Sequence, residues 1–320
     1  MNDRHLRRMT GMTTTTTPCL LEAERVTCAV PQAASAEHAA PSTSRHASFR
    51  WPWKRGASPK YAEPKPADQS GQSSRMTGSA QFASGTKTIF HDLSLTVRGG
   101  DVVDLIGPSG SGKSTLLTTL AQLNPHATAT MRLDGTDAGG MTPERWRRLV
   151  AYLPQRPTLI GATVRDAILL PFTLKVHQKD DQGNPLNEPA PGEDTIRRTL
   201  DRVGCGDIEL DRSPQDLSVG QQARVCMLRT LLTRPRVMLA DEVDAGLDDE
   251  NANKVGEILA YAAGEGMAII RVRHRPADGR ATRTWRLADG ALTELEAHEA
   301  HRHEQADRAA MDAEGKGDQL

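Results

Sequence analysis

Gly107-Pro108-Ser109-Gly110-Ser111-Gly112-Lys113-Ser114-Thr115 is the stretch that decides the fold. An apolar run, Val102 to Ile106, leads into it, broken only by Asp104, and a helix-like segment, Thr115 to Gln122, leads out. Strand, glycine-rich loop and helix start, in that order, make an anion cradle. The loop N–H groups point inward, and the helix N-terminus adds partial positive charge where phosphates sit. Glycines let the backbone wrap closely, Lys113 can reach the β- and γ-phosphates, and the Ser114 hydroxyl can ligate Mg²⁺. A Gly/Ser-rich turn with a chance lysine would not come with every pattern position filled and both flanks correct. The expected ligand is a nucleoside triphosphate.

The chain has 320 residues, enough for one large or two modest domains with a sizeable core. A hydrophobic content of 37% and an aromatic content of 3% are low for a fully packed chain, so part of the length is expected to be unstructured. A net charge of −1 gives no global field that would draw nucleic acid or an anionic membrane, and no nucleic-acid partner is expected. Cys19, Cys28, Cys205 and Cys226 are scattered without metal-ligand spacing and read as reduced, cytosolic thiols. Met12 to Pro18 is mostly threonine where a secretory signal would be apolar. No run approaches the ~18–20 apolar residues of a membrane span. A cytoplasmic protein is expected, with any membrane role coming through another subunit.

Residues 1–78 are rich in Ala, Ser, Thr, Pro and Arg without sustained periodicity and read as a disordered tail. Trp51 and Trp53, beside Lys54 and Arg55, fall within it, and Met76 offers an alternative start just ahead of the ordered region. Residues 79–292 carry an α/β pattern. Candidate strands are Leu93–Val97, Val102–Ile106, Thr130–Leu133, Leu149–Leu153, Val237–Ala240, Ala268–Val272 and Thr284–Leu287. Candidate helices are Lys113–Gln122, Thr195–Val203, Gly220–Leu232 and Asn251–Ala263, and the polar segment from His177 to Asp194 reads as a surface loop. Residues 293–320 form an acidic, Ala-rich tail. Its His298, His301 and His303 have no fixed fourth ligand and read as solvated. Arg145-Trp146-Arg147-Arg148 reads as a basic helix face.

A second constellation follows the phosphate loop. Val237-Met238-Leu239-Ala240-Asp241-Glu242 is an apolar strand ending in two carboxylates. Asp241 is placed to hold Mg²⁺ and Glu242 to polarise an attacking water. Shortly before it, Leu217-Ser218-Val219-Gly220-Gln221-Gln222 opens a helix. With this run the sequence resembles the ATP-binding subunits of ABC transporters, whose signature reads Leu-Ser-Gly-Gly-Gln. The other motifs of that family stand in order: Gln155 after the Leu149–Leu153 strand, Ala245-Gly246-Leu247-Asp248 as the D-loop, and His274 after Ala268–Val272 as the switch histidine. The resemblance covers about residues 79–292.

The resemblance implies an α/β P-loop NTPase with a RecA-like core, an antiparallel β edge and a helical subdomain spanning about 155–225. It implies a composite site in which Ser218 and Gly220 of one copy meet the γ-phosphate held by Lys113 of a second copy, with Gln221 and Asp248 also among the nucleotide-binding residues. ATP and Mg²⁺ would then hold a head-to-tail dimer together. Gln155 would touch Mg²⁺ or the water, and His274 would steady the γ-phosphate. Phe82 stands where the family places an aromatic against adenine, core packing being the other reading. Several positions depart from the pattern: Val219 replaces the first signature glycine, Val243 the usual proline and Arg275 the common acid. Asp104 interrupts a strand that should be buried and must find a partner or face outward. None of these removes a catalytic group, and activity is expected to survive.

The run Gln155-Arg156-Pro157-Thr158-Leu159-Ile160-Gly161-Ala162-Thr163-Val164, followed by Leu170-Pro171-Phe172, is similar to FetA/YbbL-type subunits linked to iron export. In those systems the ATPase pairs with a separate membrane permease, which implies a peripheral position on the inner face of the membrane. Two other readings are a soluble, non-transport ABC ATPase and a weakly hydrolysing nucleotide switch. The Gln155-to-Leu217 interval lacks the heptads of a DNA-repair type, only one cassette is present, and the retained Glu242 and His274 argue against the switch.

Overall fold

The computed structural model describes residues 20–31, 86–180, 182–186, 189–273, 275–296 and 299. In chain order the strands are β1 (Leu20–Pro31), β2 (Thr86–Arg98), β3 (Val102–Ile106), β4 (Ala127–Leu133), β5 (Thr136–Asp137), β6 (Val150–Leu153), β7 (Val237–Asp241), β8 (Ala268–Val272), β9 (Arg283–Ala288) and β10 (Ala291–Leu295). The helices are α1 (Lys113–Leu120), α2 (Pro143–Leu149), α3 (Val164–Leu169), α4 (Lys175–Gln178), α5 (Glu193–Arg202), α6 (Val219–Leu232) and α7 (Asp249–Gly264).

A six-stranded sheet in the order β10-β9-β3-β8-β7-β6 forms the centre. From β6 to β9 every neighbouring pair is parallel, and β10 closes the edge antiparallel to β9. β3, β7 and β8 are buried at all five of their positions, as strands covered on both faces must be. Their side chains alternate between two cores. Val103, Leu105, Val237, Leu239, Ile270 and Val272 join α1 and the smaller sheet. Val102, Met238, Ala240 and Ile269 join α3, α5, α6 and α7.

The smaller sheet has the order β2-β1-β4-β5. Its strand β1 corrects the sequence reading, which placed residues 1–78 in a disordered tail. Leu21, Ala23, Val26 and Cys28 of β1 are fully buried, and the strand pairs antiparallel with β4 from Leu21↔Leu133 to Cys28↔Ala127. A bulge between Glu24 and Thr27, with Arg25 at φ 53, moves the inward set from odd to even positions. The bulge thereby hides the two-residue alternation by which a half-buried strand is read. At the other end β10 runs to Leu295, three residues past the expected edge of the domain.

Two smaller readings also shift. Leu149 ends α2, and its strand begins at Val150. Trp146, read as part of a basic surface, is fully buried and donates its Nε1–H to Leu120 O at 2.8 Å, tying α2 to the end of α1. Between β6 and α6, the helices α3, α4 and α5 stand where a helical subdomain was expected. Val164, Ile168, Ile196 and Leu200 pack there with Val225 and Leu228 of α6. Among the described residues no helix is long and apolar enough to cross a membrane. Trp51, Trp53, Met76, Phe82, His274, His298, His301, His303 and Cys19 lie outside the described residues. The described cysteines Cys28, Cys205 and Cys226 are free and buried, and burial pushes the Cys226 thiol up to about 11.

Candidate functional site

The loop from Gly107 to Gly112 joins the C-terminal end of β3 to α1, at the carboxyl edge of the parallel strands. Helices α2, α3, α6 and α7 each begin with a side-chain cap, on Thr142, Thr163, Ser218 and Asp248. α1 begins with Gly112 at φ 100 and, like α4 and α5, has no side-chain cap. An uncapped N-terminus at the mouth of such a loop suits an anion. Two glycines are obligatory: a Cβ on Gly107 would lie 2.1 Å from Leu287 O, and one on Gly112 would lie 2.6 Å from Ile89 Cγ2. Toward the open side, a Cβ on Gly110 would meet nothing within 4 Å, while Ser111 Oγ is buried with no hydrogen-bond partner. The cradle is therefore closed behind and open in front, with an orphaned hydroxyl inside it. Such a shape fits a phosphate. Lys113 is 6% exposed, and its Nζ donates to Gly107 O at 2.7 Å and Pro108 O at 2.9 Å. The ammonium is held against the loop itself. Pro108, Ser109 and Ser114 are exposed, and Thr115 lies half-buried in the first turn of α1.

Beside α1, the end of β7 supplies the carboxylates. Ser114 Oγ donates to Asp241 Oδ1 at 3.0 Å, and Tyr152 from β6 donates its hydroxyl to Asp241 Oδ2 at 3.0 Å. Burial, followed by the charge of Asp241 and this hydrogen bond, pushes the Tyr152 hydroxyl well above the usual phenol range, so it stays a donor. Glu242 follows with φ 52, a left-handed conformation that costs a non-glycine residue about 1–3 kcal/mol. Its carboxylate accepts from Gln155 Nε2 at 2.5 Å. The structure thus brings Ser114 to Asp241 and Gln155 to Glu242, with Lys113 preceding Ser114 at the start of α1. Tyr152 was missed, because an aromatic in a buried strand carries no signal until β6 is set beside β7 in the register Tyr152↔Leu239.

Ser218, Gly220, Gln221 and Asp248 belong to a second group. Ser218 Oγ accepts from Gln221 N at 3.2 Å, while Gln221 Oε1 accepts from Ser218 N at 3.0 Å, a reciprocal cap that fixes the start of α6. The Ser218 hydroxyl hydrogen remains for another acceptor. A Cβ on Gly220 would lie 3.2 Å from Leu247 Cδ2, so the signature turn and the D-loop touch. Asp248 caps α7, accepting from Asn251 N at 2.8 Å and Asn251 Nδ2 at 2.6 Å; these bonds hold its carboxyl below the usual range. Val219, in place of a glycine, is 84% exposed.

Residues 90–245 match the family described as ABC transporter. The chain is also 32% identical over 194 residues to the "Probable iron export ATP-binding protein FetA" of Escherichia coli (strain K12), covering 60% of this chain and 81% of that protein. The chain belongs to the ABC transporter family. It is 34% identical over 230 residues to the "Glutamate transport ATP-binding protein GluA" of Corynebacterium efficiens, covering 69% of this chain and 88% of that one. The solved "Structure of ATP binding subunit of ABC transporter" superposes with a TM-score of 0.56 at 22% identity over 69% of this chain and 88% of the other, a likeness of fold. As a member of this family the chain is an ATPase subunit, binding ATP and hydrolysing it to ADP and phosphate to power a transporter.

Two departures from the family pattern acquire partners here. Arg275 donates Nη1 to Leu247 O at 2.8 Å and pairs with Asp249, so it grips the D-loop. Asp104 faces Arg271 of β8 in register and is bound by its guanidinium.

Proposed function

We propose that two copies of this chain close head to tail around two ATP molecules and drive a separate membrane permease from its cytoplasmic side. Lys113 and the loop N–H groups hold the β- and γ-phosphates, and Ser218, Gly220 and Gln221 of the opposite copy meet the same γ-phosphate. The single observation that carries this reading is the Lys113–Ser114–Asp241–Glu242–Gln155 cluster at the mouth of an uncapped helix. Exposed Val219 at the start of α6 adds an apolar contact for a facing copy. Disulfide trapping tests it. A Ser109→Cys/Val219→Cys chain that also carries Cys19→Ser is expected to form dimers linked between copies when ATP is present, and the buried native thiols at positions 28, 205 and 226 would not compete. Crosslinks formed within one chain would reject the arrangement.

Ser114 and Asp241 would hold Mg²⁺, with Gln155 reaching it or the attacking water. The donor set fits, since this cation takes a hydroxyl, one or two carboxylates, waters and phosphate oxygens. When bound, the ion neutralises charge on the phosphates. Tyr152, donating to the outer oxygen of Asp241, orients the inner one. Tyr152→Phe is expected to raise the Mg²⁺ concentration for half-maximal turnover by about tenfold, the usual size of such an orienting effect. Measured in a Mg²⁺ titration, an unchanged midpoint would remove Tyr152 from that role.

Iron export is the cargo reading we propose, supported by the Gln155–Val164 run and by the match to FetA over 81% of that protein. Deletion of the gene is expected to raise cellular iron and sensitivity to it. Unaltered iron content would send the search to other cargo.

A further inference from the structure

A buried ionic cluster lies behind the candidate site, on the sheet face that packs against α7. Asp104 of β3 stands directly opposite Arg271 of β8, accepting from Arg271 Nε at 2.5 Å and Nη2 at 3.4 Å. Arg271 also donates to both oxygens of Asp278, at 3.0 and 2.7 Å. Two residues along, Arg273 donates Nε to Asp244 Oδ2 at 3.1 Å. Its Nη1 lies 3.0 Å from Asp278 Oδ1 without hydrogen-bond geometry, and 3.8 Å from Asp104 Oδ2. Arg280 Nη1 approaches Asp278 at 3.5 Å. Asp104, Asp244, Arg271 and Arg273 are 2%, 6%, 3% and 9% exposed, so these are charges taken out of water. Gly256 of α7 lies over the cluster, where a Cβ would come within 2.9 Å of Asp278 Oδ2.

Such a cluster is a poor way to gain stability, because well-packed apolar side chains of the same volume do as well or better. Its position is more informative. Asp244 lies two residues after Glu242, and Arg273 is the residue after Val272, whose carbonyl accepts the Glu242 N–H at 3.2 Å. The Glu242 carbonyl in turn accepts from Ala245 N at 3.0 Å. Glu242 holds φ 52, a conformation that persists only where its surroundings over-determine it. Those surroundings are the end of β8 on one side and the Asp244–Arg273 pair on the other, with Arg275 on Leu247 O beyond.

We propose that Arg273, through its buried ion pair with Asp244, is a positioning residue for ATP hydrolysis. It fixes the turn from Glu242 to Leu247 so that the Glu242 carboxylate keeps its aim. The inference rests on Glu242 being the group that polarises water. Arg273 reaches the reaction through Asp244, so its loss would move the rate and spare ATP binding; misplacement by about 1 Å costs about 10²-fold in rate. Burial pushes the Asp278 carboxyl up, but the bonds from Arg271 and the charges of both arginines outweigh it and hold the group below the usual range. The two Arg271–Asp278 hydrogen bonds are made without Arg273.

The test uses the full chain with MgATP turnover, binding of a fluorescent ATP analogue and thermal melting. Arg273→Met and Asp244→Asn are each expected to lower kcat about 10- to 100-fold with KM for ATP within about twofold. Arg273→Lys, which keeps the charge, should restore kcat to within about threefold of the parent. Parental kcat in both Arg273→Met and Asp244→Asn overturns the proposal. So does a parallel loss of kcat and analogue binding that Arg273→Lys fails to rescue. Should Arg273→Met not fold, the near-isosteric Asp244→Asn decides alone. Glu242→Gln separates the two claims: if it turns over normally, the reading of Glu242 fails and carries this one with it. If it is inactive while the Arg273 and Asp244 variants are unimpaired, only the positioning role fails.

Discussion

Glu242→Gln is expected to lower ATP turnover by about 10²–10⁴-fold, the span usually supplied by a placed general base, while ATP still binds. The substitution keeps the shape of the site. Gln155 Nε2 now donates to Glu242 Oε2 at 2.5 Å, and a glutamine amide oxygen can accept the same bond. The backbone ties to Val272 O and Ala245 N do not involve the side chain. Only the capacity to take a proton from water is lost. Lys113, Ser114 and Asp241 are unaltered, so the nucleotide should stay bound long enough to collect a second copy. Turnover measured by phosphate release, with mass by light scattering in ATP, checks both halves. Unchanged turnover would remove Glu242 from its role. An inactive variant that stays a single chain in saturating MgATP would keep Glu242 and discard the composite site.

The centre of the fold was legible because it is built from local signals. β3, β7 and β8 are mostly apolar runs, broken only by Asp104 and Arg271 before the motifs that follow them, and a parallel sheet buried on both faces requires such runs. The glycine loop was legible for a similar reason: Gly107 lies against the Leu287 carbonyl and Gly112 holds a positive φ against Ile89, which favours glycine at both. What escaped are features that exist only after distant strands meet. Asp104 was flagged as a buried acid in need of a partner, but Arg271 becomes that partner only through the β3–β8 register. Asp244 and Arg273 carry no sequence signal of their own and pair only because the end of β8 lies beside the turn after β7. Tyr152 gained a role only once its hydroxyl met Asp241. Arg275, noted as a departure from the family acid, gains its sense from Leu247 O, which it holds.

A chain starting at Met76, which the sequence admits as an alternative first residue, is expected to lose cooperative folding because it would lack β1. That strand is interior to the order β2-β1-β4-β5, so its removal leaves both β2 and β4 without the partner between them. Leu21, Ala23, Val26 and Cys28, all fully buried, would leave a trough in the core that also holds Leu116, Leu117 and Leu120 of α1. Truncating one buried leucine to alanine costs about 2–5 kcal/mol. Losing four inward side chains with their strand therefore rivals the whole stability of a typical domain, about 5–15 kcal/mol. The helix exposed is the one whose N-terminus forms the phosphate cradle, so ATP binding should fall with the fold. Val26→Asp in the full chain is the milder version, placing an unpaired carboxylate in the same core. Its melting temperature should drop well below that of Arg25→Ala, whose side chain is exposed and bonds Thr130 Oγ1 of β4. A Met76-start chain that melts cooperatively at the parental temperature would show that β1 is dispensable, and the smaller sheet would then have to be stable on β2, β4 and β5 alone.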